Sequence, residues 1–485
     1  MLLSELVAAL GDVKLIGDSD MRITDVTESS SEAHPGSIFV CIKGRSFDGA
    51  DYINDARKRG AKVFVSAKKL EINADECLIL AKEPRKTMEI IAAKLFLEYV
   101  KRLRIVAVGG TKGKTTVATL ISRILKDQGF KTVLIGTLGT EYLGEEGFLR
   151  AGDAIPCKNN TTPSIDYLYR TLATAYLRGF THAVIEVSSQ ALATGRVSGI
   201  PFSLCVFTNL SKDHIGEGEH RDFIEYTNAK LSLYRGSEAV ANSDDRLFEK
   251  IRKTAKKCYS VGKSKGSDYY LSGVVRERGV TSFSLNGVRF KINLGGEFNA
   301  MNTALALASA SVLLGRGCAC FSDSISNVRI KGRYEVYLLK KRRVIIDFAH
   351  NKESFRAIMS AERGETKGKL IAVFGSVGNR CEQRRQELAE MAESLADISV
   401  ITSDDPGEEA AIDICRQIRS FYKDKSKVII ETDREEAIKK ALGLSVEGDS
   451  VLLLGKGHES HQLIGKERVP FSEKAILLSL GAIRQ

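Results

Sequence analysis

Ile105-Val106-Ala107-Val108 runs directly into Gly109-Gly110-Thr111-Lys112-Gly113-Lys114-Thr115-Thr116. Beyond it, Val117, Leu120, Ile121, Ile124 and Leu125 recur at helical spacing until Gly129 supplies a stop. Strand, glycine-rich turn and helix in immediate succession leave few folds open. A short apolar run suits a buried parallel strand. Glycines let backbone amides converge on phosphate oxygens, and the helix N-terminus adds a favourable field. Lys114 can then reach β- and γ-phosphates, and the Thr115 hydroxyl can ligate Mg²⁺. The longer common pattern has glycine where this chain has Val108, so the match is the shortened form from Gly110 to Thr115. A glycine-rich turn without nucleotide stays open as the bland reading.

The rest of the chain repeats the same rhythm. Val133–Gly136, Ala183–Val187 and Leu204–Thr208 are further short apolar runs, and residues 255–296 look like inserted hairpins. After Gly332, the runs Val344–Asp347, Leu370–Gly375, Ile398–Ser403, Lys427–Thr432 and Ser450–Gly455 alternate with helical stretches. This predicts an α/β protein of three domains. A small N-terminal α/β module spans 1–100, a central phosphate-loop ATPase-type parallel sheet 101–330, and a Rossmann-like doubly wound sheet 331–485.

Composition narrows the class. With 43% hydrophobic residues and 7 prolines among 485, the chain is neither disordered nor collagen-like. No run approaches the roughly 20 apolar residues of a membrane span. The start has no basic segment and carries acids early, which argues against a signal peptide. Nine scattered cysteines fit reduced thiols and a cytoplasmic protein. The net charge of +11 is dilute, and no basic run interleaved with aromatics points to nucleic acid, so small polyphosphates explain it better. Lys340-Lys341-Arg342-Arg343 reads as a solvated hairpin or strand edge.

Glu186 closes one apolar run, where a doubly wound sheet presents its ligand crevice. It is a plausible Mg²⁺ ligand, although strand-end acids often only cap helices. His214, in Asn209-Leu210-Ser211-Lys212-Asp213-His214, stands beyond another strand end; alone it would read as a structural hydrogen-bonder. Taken together, several segments resemble the Mur ligase family in order and approximate spacing. They are Gly110–Thr116, Asn160–Ser164, Glu186–Ser189, Thr208–His214, Asn242–Asp245, Gly296–Asn302, Gly332-Arg333, Asp347–His350 and Gly455–Glu459, with Pro35–Val40 upstream. The resemblance covers nearly the whole chain. It is closest to the branch that adds the third residue of the peptidoglycan stem to a UDP-N-acetylmuramoyl dipeptide.

The resemblance implies an ATP-dependent, amide-forming ligase. A substrate carboxylate attacks the γ-phosphate, and an amine displaces phosphate from the resulting acyl phosphate. Gly110, Thr111, Lys112, Gly113, Lys114, Thr115 and Thr116 match the family's phosphate loop. Thr115, Glu186 and His214 match its Mg²⁺ ligands. Lys230 matches a lysine that the family carbamylates to hold a second Mg²⁺; without the family it would read as an ordinary exposed helix lysine. Asn299 and Asn302 match adenine-side residues, and Arg333 and Asp347 match groups reaching ATP phosphates and ribose. Thr161, Thr162, Ser188, Gln190 and Arg196 match contacts to the UDP-muramoyl substrate. The usual uridine Asp-Ser-Arg is here Ser29-Ser30-Ser31, so only Ser30 carries over. A monomer is expected, whose partners are the muramoyl dipeptide and a free amino acid.

Enzymes of this branch that take meso-diaminopimelate carry Asp-Asn-Pro-Arg, whose guanidinium pairs the distal carboxylate. Here the stretch is Asp404-Asp405-Pro406-Gly407, without arginine. Asp404 and Asp405 suit an ammonium, which favours L-lysine, then ornithine, over diaminopimelate. Arg384 or Arg385 is expected to hold the incoming α-carboxylate, and Glu459 to meet an amine. Gly455-Lys456-Gly457-His458-Glu459 is, in contrast, common among diaminopimelate enzymes. A folylpolyglutamate synthase is disfavoured by the uridine-type first 100 residues. A nucleotide-dependent switch or a degenerate homologue would sit poorly with intact Lys114, Thr115, Glu186, His214 and Lys230.

Overall fold

The computed structural model of the protein describes residues 1–17, 21–44, 47–144, 161–211, 220–277, 279–379 and 382–485. The chain falls into two compact units, 1–241 with 246–258, and 242–245 with 259–485.

The first unit holds two sheets. β1 (Val13–Ile16), β2 (Asp25–Thr27), β3 (Ser37–Val40), β4 (Val63–Ser66) and β5 (Cys77–Ala81) form five strands in the order β1-β5-β4-β3-β2. All are parallel except the edge strand β1. Pro84 opens the helix Pro84–Val100, where its missing N–H costs nothing. Met88, Ile91 and Ala92 on this helix join Val26, Ile38, Val40, Val63 and Ile79 in one core.

The second sheet carries β6 (Arg104–Gly109), β7 (Thr132–Gly136), β8 (Gly139–Leu143), β9 (His182–Glu186), β10 (Phe202–Phe207) and β11 (Glu238–Asn242) in the order β8-β7-β9-β6-β10-β11. Only β8 runs antiparallel. Strands β6, β7 and β9 are buried almost throughout, which is why they read as unbroken apolar runs rather than as alternation. After β6 the chain builds to one side through β7 and β9, then crosses back to lay β10 on the other. That reversal opens a crevice at the carboxyl end of β6, where such sheets bind ligands. The helix Lys114–Asp127 follows β6 directly, and Gly129 turns the chain at φ +88°.

In the second unit, β13 (Tyr269–Glu277), β14 (Val280–Leu285) and β15 (Val288–Ile292) form an antiparallel meander under the buried helix Glu297–Leu314. β12 (Lys257–Gly262) departs from the expected hairpins: it pairs parallel to β13, Val261 opposite Tyr269. Asp268 ties the two strands beside that pairing. Its carboxylate accepts from the Ser260 N–H (2.8 Å) and hydroxyl (2.7 Å).

The remaining strands are β16 (Glu335–Leu339), β17 (Arg342–Asp347), β18 (Leu370–Phe374), β19 (Ile398–Ile401), β20 (Val428–Ile430), β21 (Ser450–Leu454), the hairpin β22 (His461–Ile464) and β23 (Glu467–Pro470), and β24 (Ile483–Arg484). Seven of them form a doubly wound sheet, β20-β19-β18-β21-β17-β16-β24. Ile345, Ala372 and Leu452 face one apolar core, while Val344, Ile371 and Val451 face the other. Lys340 and Lys341 make the expected exposed hairpin turn, at φ 48° and 64°. Arg342 and Arg343 do not share that solvated role. The Arg342 guanidinium donates to the Leu442 carbonyl at 2.6 Å, and Arg343 pairs with the buried Glu362 at 2.8 Å. Among the described residues no single helix is long and apolar enough to cross a membrane.

Candidate active site

The crevice at the end of β6 is built by close approach. Gly110 sits at φ +132°, and a Cβ there would lie 1.9 Å from Thr208 Oγ1. Thr208 cannot retreat cheaply, because the same oxygen donates to the Lys112 carbonyl at 2.6 Å. Asn209 closes the loop from the other side: its Oδ1 accepts from the Lys112 N–H (2.9 Å), and its Nδ2 donates to the Lys112 carbonyl (3.0 Å). Thr111 is buried, bonded to Tyr226 Oη at 2.9 Å. Gly113 supplies the second turn, at φ +82°, and the helix begins at Lys114. Gly110→Ala should therefore weaken nucleotide binding about tenfold or more, the equivalent of roughly 1–3 kcal/mol of local strain. Calorimetric titration with an ATP analogue checks it, and unchanged affinity would show that the loop tolerates the methyl.

Lys114 Nζ donates to the carbonyls of Gly110 (3.1 Å) and Thr111 (2.9 Å), over the mouth of the loop. Thr115 Oγ1 donates to Glu186 Oε2 at 2.9 Å, and both residues are buried. Glu186 does not cap a helix. The cap of Ser189–Ala193 is Ser188, whose hydroxyl accepts from the Ala191 N–H. Instead, Glu186 also accepts from Thr137, through its N–H (3.0 Å) and hydroxyl (3.0 Å). Gly136 leaves the needed space, since a Cβ there would meet Glu186 Oε1 at 2.2 Å. An all-oxygen pair held this way fits a hard divalent cation.

Lys230 is not the exposed helix lysine that its local sequence suggests. It is 4% exposed, its Nζ donates to the Gly110 carbonyl at 2.6 Å, and it lies over the Tyr226 ring at 4.7 Å. The helix Phe223–Ser232 brings it there, capped by Asp222, whose carboxylate accepts from the Glu225 N–H. Lys212, Asp213 and His214 lie outside the described residues.

The substrate-side candidates also gather on β9. Thr162 Oγ1 donates to the Glu186 carbonyl (2.7 Å) and accepts from the Ser188 N–H (2.9 Å), and Arg196 donates to the Thr162 carbonyl (3.1 Å). Thr161 accepts from the Thr137 hydroxyl at 3.2 Å, while Gln190 is exposed on the short helix. Ser30 lies half-buried in the turn Ser30–Glu32, beside a Ser29–Ser31 hydroxyl contact of 2.8 Å.

In the second unit, Asn299 and Asn302 are buried one turn apart, and Asn302 donates to Asn299 Oδ1 at 3.2 Å. Arg333 lies over the Phe348 ring at 4.7 Å. Asp347 accepts from the N–H groups of Tyr334 and Ala349, both at 2.8 Å, while burial pushes its carboxyl above the usual range. Phe348 also packs on His458, whose imidazole burial holds down to about 3 and hence neutral.

The third group surrounds Lys456, which the motif Gly455–Glu459 contains but to which the sequence assigns no role. Lys456 is fully buried, its Nζ 2.7 Å from Asp405 Oδ1, 2.7 Å from Glu459 Oε2 and 3.9 Å from Asp404 Oδ1. Burial opposes its charge, but Asp404, Glu459 and Asp405 outweigh that and hold it above the ordinary lysine value. Burial raises Glu459 in turn. Arg385 is 4% exposed and committed to Glu409 (2.6 Å), with Gln417 beside it. Arg384 stands one residue earlier, half-buried. Gly407 adopts φ +58° with nothing within 4 Å of a Cβ, its backbone tied to Leu463 and Gly465.

Thr137, Asn209, Tyr226 and Lys456 thus join the candidates. Asn209 and Lys456 lie within segments that carry the family resemblance; Thr137 and Tyr226 have no such signal.

A parallel sheet with a phosphate loop at its switch point, a lysine over that loop and a threonine–carboxylate pair beside it define a nucleotide-dependent phosphate-loop protein. Comparison with known families matches three successive domains: the Mur ligase family catalytic domain at 22–106, the Mur ligase middle domain at 108–310, and the Mur ligase glutamate ligase domain at 332–457. A UDP-N-acetylmuramoyl-L-alanyl-D-glutamate--2,6-diaminopimelate ligase of Clostridium perfringens is 32% identical, with 99% of each chain covered. A solved structure of a ligase of the same description superposes at TM-score 0.63, with 24% identity and 99% and 98% coverage. A MurF ligase from Thermotoga maritima in complex with ADP superposes at TM-score 0.62, with 19% identity, 90% of this chain and 94% of that chain covered. The chain belongs to the Mur ligase family, the ATP-dependent acid–amino-acid ligases.

Proposed function

We propose that this ligase adds a diamino acid to UDP-N-acetylmuramoyl-L-Ala-D-Glu in the synthesis of peptidoglycan precursors, through domains at 1–100, 101–330 and 331–485. The Lys114–Thr115–Glu186 arrangement on the phosphate loop is the observation that carries the reading. Carboxylate is a poor electrophile, so the dipeptide's terminal carboxylate attacks the γ-phosphate and ADP leaves. The amine then adds to the acyl carbon, a proton is lost, and phosphate departs. Positioning and charge neutralisation dominate such chemistry. Lys114 swings from its two carbonyls to the transferring phosphoryl group. Thr162, Ser188 and Arg196 hold the muramoyl peptide, with Thr161, Gln190 and Ser30 toward the rest of that substrate. Asn299 and Asn302 take adenine; Arg333 and Asp347 take phosphate and ribose. Thr115, Glu186, His214 and a carbamylated Lys230 would hold Mg²⁺, which supplies neutralisation of phosphate charge when bound.

For the amino acid we favour L-lysine. Gly407 puts no guanidinium where diaminopimelate enzymes carry arginine, and its left-handed backbone would strain one. Asp404, Asp405 and Glu459 are three carboxylates around the single ammonium of Lys456, which leaves negative charge for a second ammonium. Arg384 takes the α-carboxylate because Arg385 is bound to Glu409. Diaminopimelate is the second reading, favoured by the name of the Clostridium perfringens relative. Phosphate release with ATP, Mg²⁺ and the muramoyl dipeptide should depend on L-lysine or L-ornithine. Preference for meso-diaminopimelate would keep the ligase and overturn the lysine assignment; no release with any of the three would overturn both.

A further inference from the structure

We infer that Arg434 is a positioning residue for the incoming amino acid: it ties together the two strand ends that carry the acidic cluster. The inference rests on the reading of Asp404, Asp405 and Glu459 as the amine site. Asp404 and Asp405 follow β19, and Lys456 and Glu459 follow β21. These strands are not neighbours, because β18 lies between them. No ladder hydrogen bond can therefore hold one end against the other.

Arg434 spans that gap. It opens the helix Arg434–Leu444 and is 1% exposed, among the largest fully buried side chains of the described residues. Its Nη1 donates to the Ser403 carbonyl at 3.0 Å, one residue before Asp404. Its Nη2 donates to the Leu454 carbonyl at 2.7 Å, at the end of β21. Glu473, on the helix Glu473–Ser479, fixes the guanidinium through Nε (3.1 Å) and Nη2 (2.8 Å). Spacing at the junction is tight: a Cβ on Gly455 would lie 2.5 Å from Asp404 Oδ2. Gln462 adds a second strap, donating to Ser403 Oγ (3.0 Å) and the Asp404 carbonyl (2.9 Å).

A planar fork serves this role as a point charge cannot. Guanidinium donors diverge toward two carbonyls and a carboxylate at once, whereas an ammonium reaches them only by abandoning one. Arg434→Lys keeps the charge that Glu473 needs but loosens one strand end. Arg434→Met combined with Glu473→Met removes both buried charges together, the change that a buried pair tolerates best.

The experiment measures KM for the amino acid, for ATP and for the muramoyl dipeptide in the full-length enzyme, with thermal unfolding in parallel. Arg434→Lys should raise the amino-acid KM about tenfold, with the other two KM values within about twofold. The double variant should behave alike, and it decides the matter where Arg434→Lys does not fold. An amino-acid KM unchanged in a folded variant, or all three KM values rising together, overturns the inference. Asp405→Asn separates the two layers. If it leaves the amino-acid KM unchanged, the amine site itself is misassigned; if it raises that KM and the Arg434 variants do not, only the positioning role falls.

Discussion

Lys114→Met should lower the rate of phosphate release about a thousandfold, roughly 4 kcal/mol of transition-state stabilisation. Methionine keeps an unbranched apolar stem of similar reach and removes the ammonium. The two carbonyls that Lys114 contacts lie at the loop mouth, so the fold should hold, with an unfolding temperature near that of the parent. Charge spreads over the transferring phosphoryl oxygens, and a cation on the loop is worth most there. ATP affinity should accordingly fall less than turnover. Single-turnover phosphate release with saturating muramoyl dipeptide checks this. A loss of less than tenfold would mean that another cation neutralises the phosphoryl group.

Lys230→Ala should cost a similar factor, about a thousandfold, for a different reason. The buried amine lies beside the phosphate loop and over the Tyr226 ring. For carbamylation the ammonium first gives up a proton; the uncharged nitrogen then bonds to the carbon of CO₂ with loss of a second, so that a cation becomes a carboxylate-like oxygen ligand. Short-chain carboxylic acids should therefore restore part of the activity of the alanine variant, by placing a carboxylate in the vacated space. Near-normal turnover in Lys230→Ala would remove the role altogether. A severe loss that no acid rescues would assign the function to the ammonium on the Gly110 carbonyl instead.

Much of this candidate site is legible in the sequence. Gly110, Lys114 and Thr115 are constrained by backbone geometry that only a few residue types meet, and Glu186 is marked by closing the apolar run that begins at Ala183. What escaped reading depends on separations along the chain. Thr137 meets Glu186 across 49 residues, through the adjacency of β7 and β9, which no local pattern encodes. Lys230 is marked by the family resemblance, but its burial is hidden because its helix mixes polar and apolar residues without a clear stripe. Arg385 matched an expected ligand by position, yet Glu409, 24 residues on, claims its guanidinium. The parallel pairing of β12 with β13 joins strands whose local sequence reads equally well as a hairpin. The acid cluster was legible as a set of carboxylates, and Lys456 at its centre was not, because its burial follows from two strand ends converging.

The Gly110 carbonyl accepts from both Lys114 and Lys230. One oxygen is thus the resting partner of two ammonium groups, and each weakens the hold of the other. If a bound nucleotide draws Lys114 onto its phosphates, as proposed, that oxygen keeps Lys230 of the two. If Lys230 is carbamylated, as proposed, it keeps Lys114 instead. Both lysines thus share one backbone atom, so a change at either would alter the hydrogen bonding of the other's partner.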